Sequence, residues 1–129
     1  MDILKLDHFE NIYAVKNFQK EFVNITKEKM ADSPPYPQFQ RWLIRSLTKL
    51  DQMGRLAVTL DGFEKLDSKN PELFSIRYPH SKLNPRVIYA CFEGSKIILL
   101  TAFKEENAKS DYKTAMNRAK KRYKALEND

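Results

Sequence analysis

The spacing of apolar residues changes part-way along the chain, and that change restricts the fold more than any other feature. In Leu73-Phe74-Ser75-Ile76-Arg77-Tyr78, the residues Phe74, Ile76 and Tyr78 share one face while Ser75 and Arg77 share the other. A period of two is the mark of a strand. Pro79 to Pro85 reads as a polar loop of hairpin length, Arg86 to Phe92 as a second strand, Glu93-Gly94-Ser95 as a tight turn and Lys96 to Phe103 as a third strand. Connections this short force neighbouring strands to run antiparallel. The second and third strands are apolar on both faces, as central strands covered by helices are. The rest of the chain therefore has to supply those helices.

Upstream, the period is helical. From about Tyr13 to Lys29, Val15, Phe18, Phe22 and Ile25 fall on one stripe, with Lys16, Lys20 and Lys27 off it. Ser33-Pro34-Pro35-Tyr36-Pro37 interrupts the pattern, and a second helix is predicted from about Gln38 to Met53, burying Phe39, Trp42, Leu43, Leu47 and Leu50 and ending at Gly54. The short rigid link favours an antiparallel helical hairpin. Ile3-Leu4-Lys5-Leu6 reads as a short first strand, and residues 55–71 as an extended or turn-rich crossing anchored by Leu60, Phe63 and Leu66. A last helix is predicted from an N-cap at Ser110 to about Leu126, with Tyr112, Ala115, Met116, Ala119, Tyr123 and Leu126 as its apolar stripe. Helices kept apart from a run of strands indicate an α+β fold. At 129 residues, a single domain over 1–129 is expected.

Charge is distributed unevenly. Residues 1–75 hold 11 Lys/Arg and 11 Asp/Glu, whereas residues 76–129 hold 12 against 6, so the whole +6 excess lies in the strand-rich half. A basic half on a neutral scaffold suits a phosphate-rich partner, most often nucleic acid, or else forms a plain solvated surface. Lys113, Asn117, Lys120, Lys121 and Lys124 make the outer face of the last helix polar and cationic.

Several chemistries are not encoded. His8, His80 and Cys91 are too scattered to form a metal site, and neither metal nor cofactor is expected. Gly54, Gly62 and Gly94 stand alone, so no phosphate-cradling loop is present, and there is no Gly-x-Ser-x-Gly elbow. The longest apolar run, Ile97 to Phe103, is far shorter than the roughly 20 residues that span a bilayer. No membrane association is expected. With Cys91 unpaired within the chain and no signal-peptide pattern at Met1-Asp2-Ile3-Leu4-Lys5, a cytoplasmic location is expected.

The strand-rich half resembles the RelE/ParE superfamily of toxins, and within it the HigB-like (phage Gp49-like) branch. The residues that carry the resemblance are Leu73-Phe74-Ser75-Ile76-Arg77, Arg86-Val87-Ile88-Tyr89, Gly94-Ser95-Lys96-Ile97-Ile98-Leu99-Leu100, Ala102-Phe103-Lys104-Glu105 and Ser110-Asp111-Tyr112, followed by Ala115 and Arg118-Ala119. Phe63-Glu64-Lys65-Leu66 is similar to an element just upstream in the family. The resemblance implies a small twisted antiparallel sheet with a helical hairpin on one side. It also implies a toxin of a type II toxin–antitoxin pair, neutralised by a helix-turn-helix antitoxin. RelE and HigB relatives cut mRNA on the ribosome, using the RNA's own 2′-hydroxyl against the adjacent phosphate without a metal. ParE relatives instead bind and inhibit gyrase, and a phage-derived member with a decayed nuclease site is a third possibility.

On that resemblance, Arg86 is the expected phosphate and transition-state contact; alternatively it pairs with a carboxylate at the sheet edge. Lys104 matches a family Phe-x-Lys position. Arg77 either contacts substrate or braces the sheet, and Tyr112 either transfers a proton or packs in the core. His80 has a suitable pKa for acid–base work, although a loop histidine is more often solvated. Lys82, Lys109, Lys113, Lys120 and Lys121 are the expected RNA-facing cations. The chain departs from the branch where Glu105 and Glu106 follow Lys104 in place of further cations, and where Ser75 stands at a position some relatives fill with lysine. Both changes lower the local positive potential.

Overall fold

Strands β5 (Pro85–Phe92) and β6 (Lys96–Lys104) form the centre of the molecule in the computed structural model, which describes residues 2–78, 83–106 and 108–128. They pair antiparallel from Pro85↔Lys104 to Phe92↔Lys96, with a bulge between Ile88 and Tyr89. At the turn between them, Gly94 has a φ of 81°, which only a residue without a Cβ adopts freely. Strand β4 (Phe74–Arg77) pairs antiparallel with β5, and β3 (Phe63–Lys65) pairs antiparallel with β4. The expected meander is present and gains one strand. At three residues, β3 is too short for its period to register in sequence, so residues 63–65 read only as part of a crossing.

The N-terminal segment differs from its sequence reading. A helix from Tyr13 to Lys29 is replaced by strand β2 (Ile12–Val15) and a shorter helix α1 (Phe18–Thr26). Val15 and Phe18 lie three apart, a spacing that imitates a helical stripe, but Ile12, Ala14 and Val15 are all buried in the sheet. Strand β2 runs parallel to β6, from Ile12↔Ile97 to Ala14↔Leu99, and strand β1 (Ile3–Lys5) pairs antiparallel with β2. The sheet order is β1-β2-β6-β5-β4-β3. Helix α1 ends early because Lys27 takes a left-handed conformation and its N–H bonds the Val23 carbonyl.

Pairing between β2 and β6 stops at Leu99, which leaves the rest of that edge of β6 to be satisfied by helices. Glu21 of α1 accepts hydrogen bonds from the Thr101 hydroxyl (3.0 Å) and the Ala102 N–H (3.4 Å). Arg122 donates to the Leu100 carbonyl (2.7 Å) and forks onto both oxygens of Glu21 at 2.8 Å. Burial alone would raise the pKa of Glu21, but Arg122, Thr101 and Arg118 together hold it below the usual carboxylate value.

Helix α2 (Gln38–Met53) has the expected bounds and stops at Gly54, where φ is 57°. Its Trp42 meets Tyr78 edge-on at 5.5 Å and stacks on Phe22 of α1 at 6.4 Å, which ties the two N-terminal helices together. A 3₁₀ turn (Gly54–Thr59) leads towards β3. Helix α3 (Ala108–Glu127) starts two residues before Ser110, so Ser110 lies inside the first turn instead of capping it. Ala115 and Ala119 are buried, and Tyr112 packs edge-on against Phe103 at 5.1 Å. A six-stranded sheet with three helices is an α+β fold, consistent with the RelE-like architecture that the resemblance implies. Among the described residues, no helix is long and apolar enough to cross a membrane.

Candidate functional site

Arg86 is the second residue of β5, where strand alternation gives it the same face as Ile88 and its cross-strand partners Phe103 and Arg77. It is only 8% exposed. One terminal nitrogen forms an ion pair with Glu105, which follows β6, and the other donates to the carbonyls of Pro85 (3.3 Å) and Tyr78 (3.4 Å). Its Nε is buried with no partner among the described residues. The carboxylate pairing considered from sequence is therefore present, with Glu105 as the partner.

Tyr112 projects from the first turns of α3 onto the same face. Its hydroxyl donates to Glu64 Oε1 at 3.0 Å, and the Ser75 hydroxyl donates to the same oxygen at 2.8 Å. Burial raises the phenol pKa, the Glu64 charge raises it further, and the nearby Arg86 charge opposes both. The phenol therefore stays protonated at neutral pH and can donate a proton or a hydrogen bond. A buried guanidinium, a protonated phenol and a carboxylate sharing one sheet face can hold a phosphate and move protons at two oxygens.

The structure separates other expected residues from this group. Lys104 lies opposite Pro85, one position beyond the Arg86↔Phe103 pair, so strand alternation turns it to the other face. It is ion-paired with Glu106 at 2.7 Å. Arg77, by contrast, stays on the Arg86 face as its cross-strand partner and is exposed at the end of β4. Lys109, Lys113 and Lys121 are exposed on α3 and Lys120 is half-buried there. In the same helix, Arg118 and Arg122 turn inward to Glu21. His80 and Lys82 lie outside the described residues.

A cleft of about 860 Å³ opens between α2 and the ends of β3, β4 and β5. Arg41, Arg45, Lys49, Arg77 and Arg86 line it, and Asp61 is the only acidic residue among its lining. Sequence reasoning missed Arg41, Arg45 and Lys49. Their spacing of four residues, opposite the Leu43/Leu47/Leu50 stripe, was the available signal, but the first half of the chain carries no net charge. Glu64 was also missed as a site residue, because nothing in its spacing relates it to Tyr112, 48 residues downstream.

Residues 37–124 match the family model described as Phage derived protein Gp49-like (DUF891). The chain belongs to the Gp49-like family. This family is part of the toxin-like RelE superfamily, and the matched span runs from the start of α2 through most of α3, taking in both Arg86 and Tyr112. Comparison with curated proteins and with solved structures finds no match.

Proposed function

We propose that this Gp49-like protein is a toxin that cuts messenger RNA on the ribosome, without a metal, through attack of the RNA 2′-hydroxyl on the adjacent phosphate. The observation that carries the reading is the convergence of Arg86, Tyr112 and Glu64 on one sheet face, with the Tyr112 hydroxyl 3.0 Å from Glu64. In this scheme Glu64 takes the proton of the 2′-hydroxyl as the new O–P bond forms. Arg86 offsets charge on the pentacoordinate phosphorus, and Tyr112 protonates the departing 5′-oxygen. The products are a 2′,3′-cyclic phosphate and a free 5′-hydroxyl. The incoming phosphate has to displace Glu105 from Arg86. A helix-turn-helix antitoxin is the partner proposed to neutralise the protein, in a cytoplasmic setting.

A second reading draws on the ion pairs Arg86–Glu105 and Lys104–Glu106, which neutralise two of the expected catalytic cations. On that reading the fold persists with a silent site. Induced expression in a bacterium, with mapping of mRNA 5′ ends, separates the two. Discrete cuts within translated frames, absent for Arg86→Ala, support the nuclease. Growth without new ends supports the silent site, and an SOS response with intact messages indicates gyrase inhibition instead.

A further inference from the structure

We propose that the cleft beside α2 is a track for the phosphodiester backbone of single-stranded nucleic acid. Arg41, Arg45 and Lys49 stand along one wall, each step of four residues advancing about 6 Å along the helix. All three are exposed, and none has an ion-pair partner among the described residues. Arg77 adds a fourth exposed cation from the end of β4, and Asp61 alone opposes them. Cations gathered in a concave space repel each other unless a polyanion occupies it, and the low-dielectric walls concentrate their field. Three of the five cations lining the cleft around Asp61 and Lys49 are arginines from α2 and β4, whose planar forks suit phosphate oxygens.

Two further observations favour nucleic acid over an acidic peptide. Trp42 and Tyr78 line the cleft beside the cations, and although both are half-buried, against each other and in the case of Trp42 against Phe22, the part of the rings that faces the cleft is surface on which bases, but not carboxylate side chains, can stack. Arg86 also lines it, with its buried Nε lacking a partner among the described residues, so the cleft leads to the guanidinium beside the Tyr112–Glu64 group. The inference extends the nuclease reading by placing the strand that would reach Arg86, but binding in the cleft does not require that cutting occurs.

The test uses the full chain and a fluorescein-labelled 2′-O-methyl oligouridylate about a dozen nucleotides long, which cannot be cut through a 2′-hydroxyl. Anisotropy titrations at several salt concentrations between about 50 and 200 mM read both affinity and its salt slope. Replacing Arg41, Arg45 and Lys49 together by Gln should weaken binding at least tenfold and make the slope of log affinity against log salt shallower by about 2, given about 0.7 per phosphate contact on a single strand. The same loss of charge at Lys16, Lys20 and Lys29, exposed elsewhere in the chain, should change affinity less than threefold. If the triple variant folds poorly, single Arg41→Gln and Arg45→Gln variants carry the test, each expected to reduce the slope by about 0.7. Equal losses from both triple variants would mean that net charge alone drives binding and would overturn the proposal. So would a folded cleft variant that binds like the parent, or an oligoglutamate peptide that competes as well as RNA of equal charge. A parent that binds the uncleavable strand in this way, yet never cuts ribosome-bound message, removes the nuclease and leaves the track in place.

Discussion

Glu105 sets a carboxylate on the guanidinium that the proposed cutting step would use. The Arg86 side chain is 10% exposed and that of Glu105 is 20% exposed, so the pair is largely shielded from water. Glu105→Gln keeps a hydrogen-bonding group but removes the charge that competes with phosphate. It should lower stability by about 1–3 kcal/mol, the cost of weakening a hydrogen bond to a buried charge. On the nuclease reading it should also increase RNA cleavage and growth arrest. Paired thermal melts and growth curves check both effects, and a lower melting temperature with unchanged arrest would make the pair purely structural. Tyr112→Phe makes a complementary test. The phenol is held protonated by burial and by Glu64, so on the nuclease reading it acts as a donor, and removing it should reduce cleavage by about 10²–10⁴-fold while costing only about 1 kcal/mol of stability. Single-turnover cleavage beside a thermal melt reads the two quantities. Arg86 and Tyr112 could be named as candidates from sequence because each falls in a motif of the resemblance, near the start of an element. Glu64 was not, because its partnership exists only once β3 pairs with β4 and α3 lies across them.

Among the elements, helix α1 has a task that its amphipathic pattern does not reveal. It takes over from β2 along the edge of β6, and Glu21 and Arg122 supply the hydrogen bonds a further strand would have made. Removing the Glu21 charge leaves Arg122, 12% exposed, without its counter-ion. Glu21→Gln should therefore destabilise the fold by about 3 kcal/mol, measured by urea unfolding. The folded pKa of Glu21 lies below its ordinary value of 4.5, so its contribution is present above that value and lost as pH falls through the depressed one. Acidifying below about pH 4.5 should thus destabilise the parent more steeply than Glu21→Gln. Equal acid sensitivity would place the dominant titrating groups elsewhere. The C-terminal strands were readable because each has four to nine residues of uninterrupted pattern. The boundary between β2 and α1 was not, because Val15 and Phe18 fit both a strand ending and a helix beginning.

At the scale of the molecule, counting charge along the chain locates the cationic surface only in part. The excess lies in residues 76–129, yet two of its arginines, Arg118 and Arg122, turn inward to Glu21, and Lys104 is matched by Glu106. The concave cationic surface instead draws Arg41, Arg45 and Lys49 from the neutral half, where α2 presents them to the end of the sheet. Net charge measures composition, whereas a polyanion meets a surface, and only the fold converts one into the other. The proposed chemistry is written in the ends of its products. Purified protein is added to a translation reaction stalled on a defined message, and the termini of any fragments are determined. Transesterification by the 2′-hydroxyl should leave cuts within the translated frame bearing 2′,3′-cyclic phosphate and 5′-hydroxyl ends, lost with a folded Arg86→Ala variant. An intact message, 5′-phosphate ends, or equal cutting by folded Arg86→Ala would contradict it.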